Sequence, residues 1–140
     1  MEARIDQLDD WECRRLLASA PVGRLGFSAG ALPVIIPVNF VVDGDDVLIA
    51  SEAGAKVEAA RHGDVACIEV DHHDTLEHAG WSVLATGRLR IAGDGDDVAK
   101  QTRLRPWALS TPEFLLGLRI ELLSGRRLWH PAGGHHVTRR

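Results

Sequence analysis

Hydrophobic positions near the N-terminus recur with helical spacing, and after residue 21 the spacing changes to that of strands. The first segment predicts a helix that begins after Asp9, has Glu12 three residues later as in a capping box, and ends before Pro21. Its apolar side chains are expected on one buried face: Leu8, Trp11, Leu16 and Leu17. The helix should therefore lie across the surface of a sheet or barrel.

Six later segments have strand-like patterns, namely 22–28, 33–42, 47–51, 64–71, 80–92 and 114–123. Turns rich in Gly and Asp separate several of them, so hairpins should dominate and the sheet should be mainly antiparallel. Two short helices are predicted over 55–62, with Gly63 as the C′ residue, and over 96–104. Six strands in one small domain favour a closed or partly closed barrel, because closure removes exposed sheet edges.

The segment 33–42 (PVIIPVNFVV) is almost entirely apolar, which is typical of a strand covered on both faces. Pro33 and Pro37 each lack a backbone donor, which favours an edge, a bulge or a ligand lying alongside the strand. Asn39 is either a satisfied core amide or a ligand contact. This segment is therefore a candidate wall of a binding site.

Composition restricts the classes of function. A chain of 140 residues that is 45% hydrophobic and 26% charged suits one globular domain, residues 1–140, with 132–140 as a loose tail. The net charge of −4 argues against a nucleic-acid partner, which needs a basic surface. No apolar run approaches the about 18 residues of a membrane span, and the N-terminus lacks an apolar signal region. We therefore expect no membrane association and a cytoplasmic location.

The strongest chemical pattern is Ser51-Glu52-Ala53-Gly54-Ala55-Lys56, at a strand–turn–helix junction. A helix N-terminus offers free N–H groups and partial positive charge, and a hydroxyl and an ammonium beside it would complete an anion cradle. Similar junctions are common in proteins without any ligand. The pattern by itself therefore leaves both interpretations open.

The other polar clusters are weaker. His72, His73 and His78 lie in a predicted loop without helical spacing or a CxxC motif, so a solvated loop is favoured over a metal site. The tryptophans Trp81 and Trp107, with nearby arginines, either form a stacking and anion-binding wall or fill core volume. No catalytic triad, Walker-type loop or GxGxxG fingerprint is present.

Eight segments then occur in a characteristic order: LLAS (16–19), PVGRLGFS (21–28), PVNF (37–40), SxxGxK (51–56), EVDHHD (69–74), GWSVLATGRLR (80–90), RPWA (105–108) and ELLSGRRL (121–128). This ordered set resembles the FMN-binding split-barrel family related to pyridoxamine 5′-phosphate oxidase, of an actinobacterial type. The resemblance implies a mainly β (α+β) fold, a six-stranded antiparallel split barrel with two or three short helices. It also implies a homodimer with FMN in a groove between the subunits.

The resemblance implies a cofactor-binding set made up of Val34, Ile36, Pro37, Val38, Asn39, Ser51, Lys56, Trp81, Ser82, Trp107 and Arg126. The first five would face the isoalloxazine ring through their backbone, and Ser51 and Lys56 would hold the phosphate. Trp81 and Ser82 would approach from the partner subunit, and the last two residues would line the substrate side.

These implications predict an FMN-dependent oxidoreductase acting on a small molecule, with no metal and with unassigned catalytic residues. The alternatives are a reductase that uses a deazaflavin coenzyme and a non-catalytic protein that binds flavin or haem. The chain is shorter than true pyridoxamine-phosphate oxidases and does not match their full substrate-binding set. Oxidation of vitamin B6 is therefore not implied.

Overall fold

The computed structural model describes residues 3–101, 103–104 and 111–129, which form eight strands and three helices. In chain order these are β1 (Arg4–Gln7), α1 (Asp10–Ser19), β2 (Val22–Ala29), β3 (Leu32–Asp43), β4 (Asp46–Ser51), α2 (Ala55–His62), β5 (Val65–Asp74), β6 (Ala79–Asp94), α3 (Gly95–Lys100), β7 (Phe114–Arg119) and β8 (Leu122–Trp129). No helix among these residues is long and apolar enough to cross a membrane.

The sheet is antiparallel, in the order β1-β8-β6-β5-β2-β3-β4-β7, and β6 also pairs with β7. The two long strands change partners midway. Residues 32–39 of β3 pair with β2 and residues 40–43 with β4, while β6 leaves β5 and continues along β7. The sheet therefore curls into a partial ring rather than a fully closed barrel. The predicted split-barrel class is confirmed, and its six predicted strands correspond to β2 through β7.

The core lies inside this ring. Its fully buried side chains come from every strand of the ring except β3, and include Leu25, Val47, Ile49, Ile68, Val83, Leu89 and Leu116. α1 closes one side with Leu16 and Leu17, and α2 contributes Val57. Each large apolar side chain buried in this way stabilises the fold by about 1.5–3 kcal/mol relative to its exposure.

The helix ends agree with the sequence signals. The Asp9 carboxylate accepts the backbone N–H of Glu12 at 2.8 Å, so Asp9 is the N-cap of α1. The Glu12 side chain accepts from Arg15 and Arg127, which ties α1 to β8. α2 ends at Gly63, whose φ of 68° is the left-handed conformation expected of a C′ glycine.

Several predicted details are wrong. Trp11 does not share the buried face of α1 and is 69% exposed, because the buried side includes Cys13, about 200° around the helix from it. The third helix ends at Lys100, four residues early. His72 and His73 belong to β5, which continues to Asp74, so the predicted histidine loop is only residues 75–78.

Two strands were not predicted. β1 is short and mostly charged, so it carries no alternating signal. The segment 114–123 is two strands, β7 and β8, joined at Ile120 and Glu121. The N–H of Ile120 donates to Asp45 and that of Glu121 to Thr86, so the chain crosses the sheet at this point. Apolar alternation continues through the turn, and periodicity therefore could not locate it.

The segment 33–42 was expected to be covered on both faces. Within a single chain this expectation is also wrong. The first half of β3 alternates in exposure, and Ile35 is 73% exposed. The side chains of β3 are buried only from Val38 and Phe40 onwards, inside the ring. An apolar run does not distinguish coverage by the same chain from an apolar face left open.

Candidate functional site

A groove of about 390 Å³ opens where β3 and β4 diverge, beyond the paired residues Phe40 and Ile49. One wall is the strand segment 34–39, and the other is the segment 50–56, which contains the end of β4, a turn and the start of α2. Phe27 and Pro112 complete the lining. The groove thus joins a mainly apolar strand edge to a helix N-terminus.

Seven of the eleven predicted site residues line this groove: Val34, Ile36, Pro37, Val38, Asn39, Ser51 and Lys56. Three others lie elsewhere in the same chain. Ser82 of β6 and Arg126 of β8 are register partners, and Trp81 is their neighbour, with its ring 6.4 Å from that of His72. Trp107 lies outside the described residues. The roles of all eleven in cofactor binding stay predictions.

The edge of β3 presents backbone groups to the groove. Ala29 and Leu32 close a two-residue hairpin in which Gly30 and Ala31 have φ of 56° and 71°, as in a type I′ turn. Hydrogen-bonded and non-hydrogen-bonded pairs alternate along an antiparallel ladder. The backbone N–H and C=O groups of the even-numbered residues 32–38 therefore bond to β2. The backbone groups of the odd-numbered residues 33–39 point in the opposite direction, towards the side from which β4 has diverged.

The two prolines of this strand stand at such odd-numbered positions, where a missing N–H removes no bond to β2. The groove edge keeps the carbonyl of Pro37 and the N–H of Asn39, whereas the register of β3 and β4 directs the Asn39 carbonyl to the N–H of Ala50. The Asn39 side chain is partly exposed, and its Nδ2 donates to the Pro21 carbonyl at 3.5 Å, a long bond. A flat ligand with donors and acceptors along one edge can pair with this strand.

The opposite end of the groove suits an anion. The N-cap of α2 is Gly54, which has φ of 153° and no side chain to cap the helix, so the first N–H groups have no side-chain acceptor. The Ser51 side chain is 3% exposed, and its hydroxyl donates to the Glu52 carbonyl at 2.7 Å. That proton is therefore used within the turn. Among the described residues, the donors at this end are the helix N–H groups and Lys56.

Lys56 is partly buried beside these N–H groups. Burial lowers the pKa of its ammonium, and the negative charge of Glu52 partly offsets this effect. Within the described residues no carboxylate lies within 4.0 Å of the ammonium, since none of their salt bridges includes Lys56. A bound anion would supply the missing partner.

A second polar cluster, which the sequence analysis missed, lies on the outer face of the sheet. Arg24 of β2 donates from one nitrogen to Glu69 and to Asp71, both at 2.9 Å. Burial and the neighbouring Asp71 raise the pKa of Glu69. The hydrogen bond from Glu69, followed by the charge of Arg24, lowers the pKa of Asp71. The sequence did contain a signal for this cluster, because Glu69 and Asp71 are two residues apart in a strand and therefore share a face.

Seven residues that line the groove were also missed: Phe27, Ala50, Glu52, Ala53, Gly54, Ala55 and Pro112. Glu52 and Gly54 lie within the Ser51–Lys56 pattern and could have been included from it. Pro112 reaches the groove from the segment before β7. It is far in sequence from the other lining residues, so no local pattern could have indicated it.

The fold and the groove define this chain as a split-barrel protein with a ligand groove between a strand edge and a helix N-terminus. A family model described as pyridoxamine 5′-phosphate oxidase matches residues 9–127. Because this match spans most of the chain, the protein belongs to that family.

Known proteins support this assignment. The chain is 35% identical over 128 residues to the uncharacterized protein Rv0080 of Mycobacterium tuberculosis, with 87% of this chain and 84% of that protein covered. It is 30% identical to the FAD binding protein from Mycobacterium smegmatis, with a TM-score of 0.68 over 88% of this chain and 97% of that one. An FAD-binding protein from Mesorhizobium loti has the same fold, at 23% identity and a TM-score of 0.73 over 90% of this chain and 98% of that one.

Proposed function

We propose that this protein is a flavin-dependent oxidoreductase that binds FMN in the groove between β3 and α2 and acts on a small molecule. The observation that carries the proposal is the chemistry of the two ends of the groove. The groove joins an apolar strand edge with free backbone donors and acceptors to a helix N-terminus with Lys56. Family membership and the likeness to two FAD-binding proteins support a flavin as the ligand.

Each part of the groove has a role in this proposal. Val34 and Ile36 would contact the ring, and the backbone of Pro37 and Asn39 would pair with its polar edge. The N–H groups of α2 and the Lys56 ammonium would bind the phosphate. The flavin would supply the electron or hydride chemistry, while the chain binds it, orients it and limits its contact with water.

Purification and spectroscopy test the proposal. We expect the protein either to carry visible flavin absorption bands or to quench the fluorescence of added FMN with a saturable titration. Anaerobic mixing of the loaded protein with NADH or NADPH should then bleach the flavin, and oxygen should restore it. A colourless protein that binds neither FMN nor FAD would overturn the proposal.

A non-catalytic flavin carrier is the second candidate. It is favoured by the lining of the groove, whose only ionisable side chains among the described residues are Glu52 and Lys56. Neither is a clear general acid or base. Tight flavin binding without reduction by any of several donors would favour the carrier.

Two other ligands remain alternatives. A deazaflavin coenzyme would use the same anion-binding end and is distinguished by its absorption spectrum. Haem needs an axial ligand, and the described residues that line the groove include no histidine, cysteine, methionine or tyrosine. Haem is therefore the weaker alternative for this groove.

We also propose that the protein is a homodimer that associates through the outer face of its sheet. One row across this face, in register, is Ile35, Gly26, Cys67, Thr86 and Leu122. Its end residues are 73% and 69% exposed, whereas the central residues are small. A second copy related by a two-fold axis can set one of its large end residues over this small centre. A dimer would also bring Ser82 and Arg126 of one copy towards the other, whereas Trp81 packs against the core of its own chain.

Light scattering after gel filtration tests the dimer. Ile35→Asp and Leu122→Asp should give monomers, and Leu76→Asp is the control because Leu76 is 84% exposed in the β5–β6 loop. A wild-type monomer at micromolar concentration would contradict the proposal. We further propose a cytoplasmic location, since Cys13 and Cys67 are both free thiols.

A further inference from the structure

The anion-binding end of the groove is close to neutral. Among the described residues that line the groove, only Lys56 and Glu52 carry a charge, and their signs are opposite. Glu52 is exposed at the turn between β4 and α2, and its charge acts on the Lys56 ammonium. The two side chains therefore present little net charge to a ligand, apart from the partial charge of the helix N-terminus.

No other described side chain at this end adds positive charge. The Ser51 hydroxyl donates its proton to the Glu52 carbonyl, so it is not free to donate to a phosphate. The same bond holds the Glu52 backbone beside the start of α2. A terminal phosphate carries a charge of about −1.5 to −2 near neutral pH, and such a group is best held by several cationic donors.

Resting on the proposed function, we propose that Glu52 is a specificity-determining residue of the groove. Its carboxylate cancels part of the attraction of Lys56 for a doubly charged terminal phosphate. The groove therefore accepts FAD, in which each phosphate of the diphosphate carries a single negative charge, almost as well as it accepts FMN.

The physical basis is that repulsion by one carboxylate scales with the charge of the group that faces it. Glu52 disfavours a dianionic phosphate about twice as strongly as a monoanionic one, and it has no effect of this kind on riboflavin. Because Glu52 is exposed to water, salt should reduce the difference.

Equilibrium titrations with riboflavin, FMN and FAD on the full chain test this inference. Glu52→Gln should tighten FMN binding by about three- to eight-fold and FAD binding by about two- to three-fold at low salt, and leave riboflavin unchanged. Glu58→Gln is the matched control, because Glu58 is on α2, makes an ion pair with Arg61 and does not line the groove. It should change none of the three affinities.

The three ligands distinguish a failure of flavin binding from a failure of the role proposed for Glu52. If wild type binds none of them, the proposed function is wrong and the role of Glu52 falls with it. If riboflavin and FMN bind but Glu52→Gln changes their affinities by the same factor, flavin binding stands and the role of Glu52 is overturned. An equal effect of Glu58→Gln would also overturn it, since the response would then reflect overall charge.

Discussion

Replacing Lys56 by methionine should weaken phosphate binding and at the same time stabilise the protein without ligand. The methionine keeps an unbranched apolar stem in the partly buried position but removes the charge. A charge-assisted hydrogen bond to phosphate is worth about 1.5–3 kcal/mol, and the nearby Glu52 reduces the net gain. We therefore expect a loss of about 1–2 kcal/mol, which is about 5- to 30-fold in the Kd for FMN. Riboflavin affinity should not change.

The stability change has the opposite sign because burial lowers the pKa of Lys56. The folded protein binds this proton less readily than the unfolded chain does, so the charged ammonium destabilises the fold at pH values below its depressed pKa. After discounting for partial exposure to solvent, the variant should melt about 1–2 °C higher at neutral pH, and the gain should shrink at alkaline pH.

Fluorescence titration with FMN and riboflavin, and thermal unfolding followed by circular dichroism, measure the two effects. A lower melting temperature together with equal losses for FMN and riboflavin would show that Lys56 supports the fold instead of a phosphate. Unchanged FMN affinity would remove Lys56 from the anion-binding end.

Three other substitutions test the geometry. Gly54→Ala should lower stability by about 1–2 kcal/mol in urea unfolding, because a φ of 153° is strained for any other residue, although the space around Gly54 is open. An unchanged unfolding midpoint would refute this backbone conformation. Glu69→Gln should gain stability relative to wild type as the pH rises above the ordinary pKa of a glutamate, because the raised pKa means that ionising Glu69 costs more in the folded protein than in the unfolded chain. A constant difference in urea midpoints would contradict the raised pKa. Gly87→Ala should lower the free energy of unfolding by more than about 3 kcal/mol or prevent folding, because a Cβ at this position would collide with the Arg119 carbonyl. A stable variant would contradict the close approach of β6 and the end of β7.

The parts of the fold that depend on local signals could be predicted from the sequence. α2 has the predicted bounds, 55–62, because Gly54 and Gly63 mark its two ends. The prolines of β3 correctly indicated a strand with one side left without a ladder. The Ser51–Lys56 pattern lies at one end of the groove for the same reason, since it is a local strand–turn–helix junction.

The remaining features depend on residues that are distant in sequence. The burial of one helix side and the exposure of Trp11 follow from where α1 contacts the sheet. The donor role expected for Ser51 is limited by its bond to the next carbonyl, a geometric detail without a composition signal. The Arg24 cluster requires β2 to pair with β5 in one particular register. Such pairings are set by the whole fold and not by any single segment.

The pairing of β4 with β7 has a consequence for folding. Ser51, at the anion-binding end of the groove, is in register with Phe114, and its carbonyl accepts from Glu113. During synthesis, the side of this turn that pairs with β7 therefore has no partner until the chain beyond residue 119 has left the ribosome. Contacts between such distant segments slow folding, because the loop between them must be closed first. Ligand binding should consequently appear late in refolding, together with the pairing of β7, and not with the early hairpin of β2 and β3.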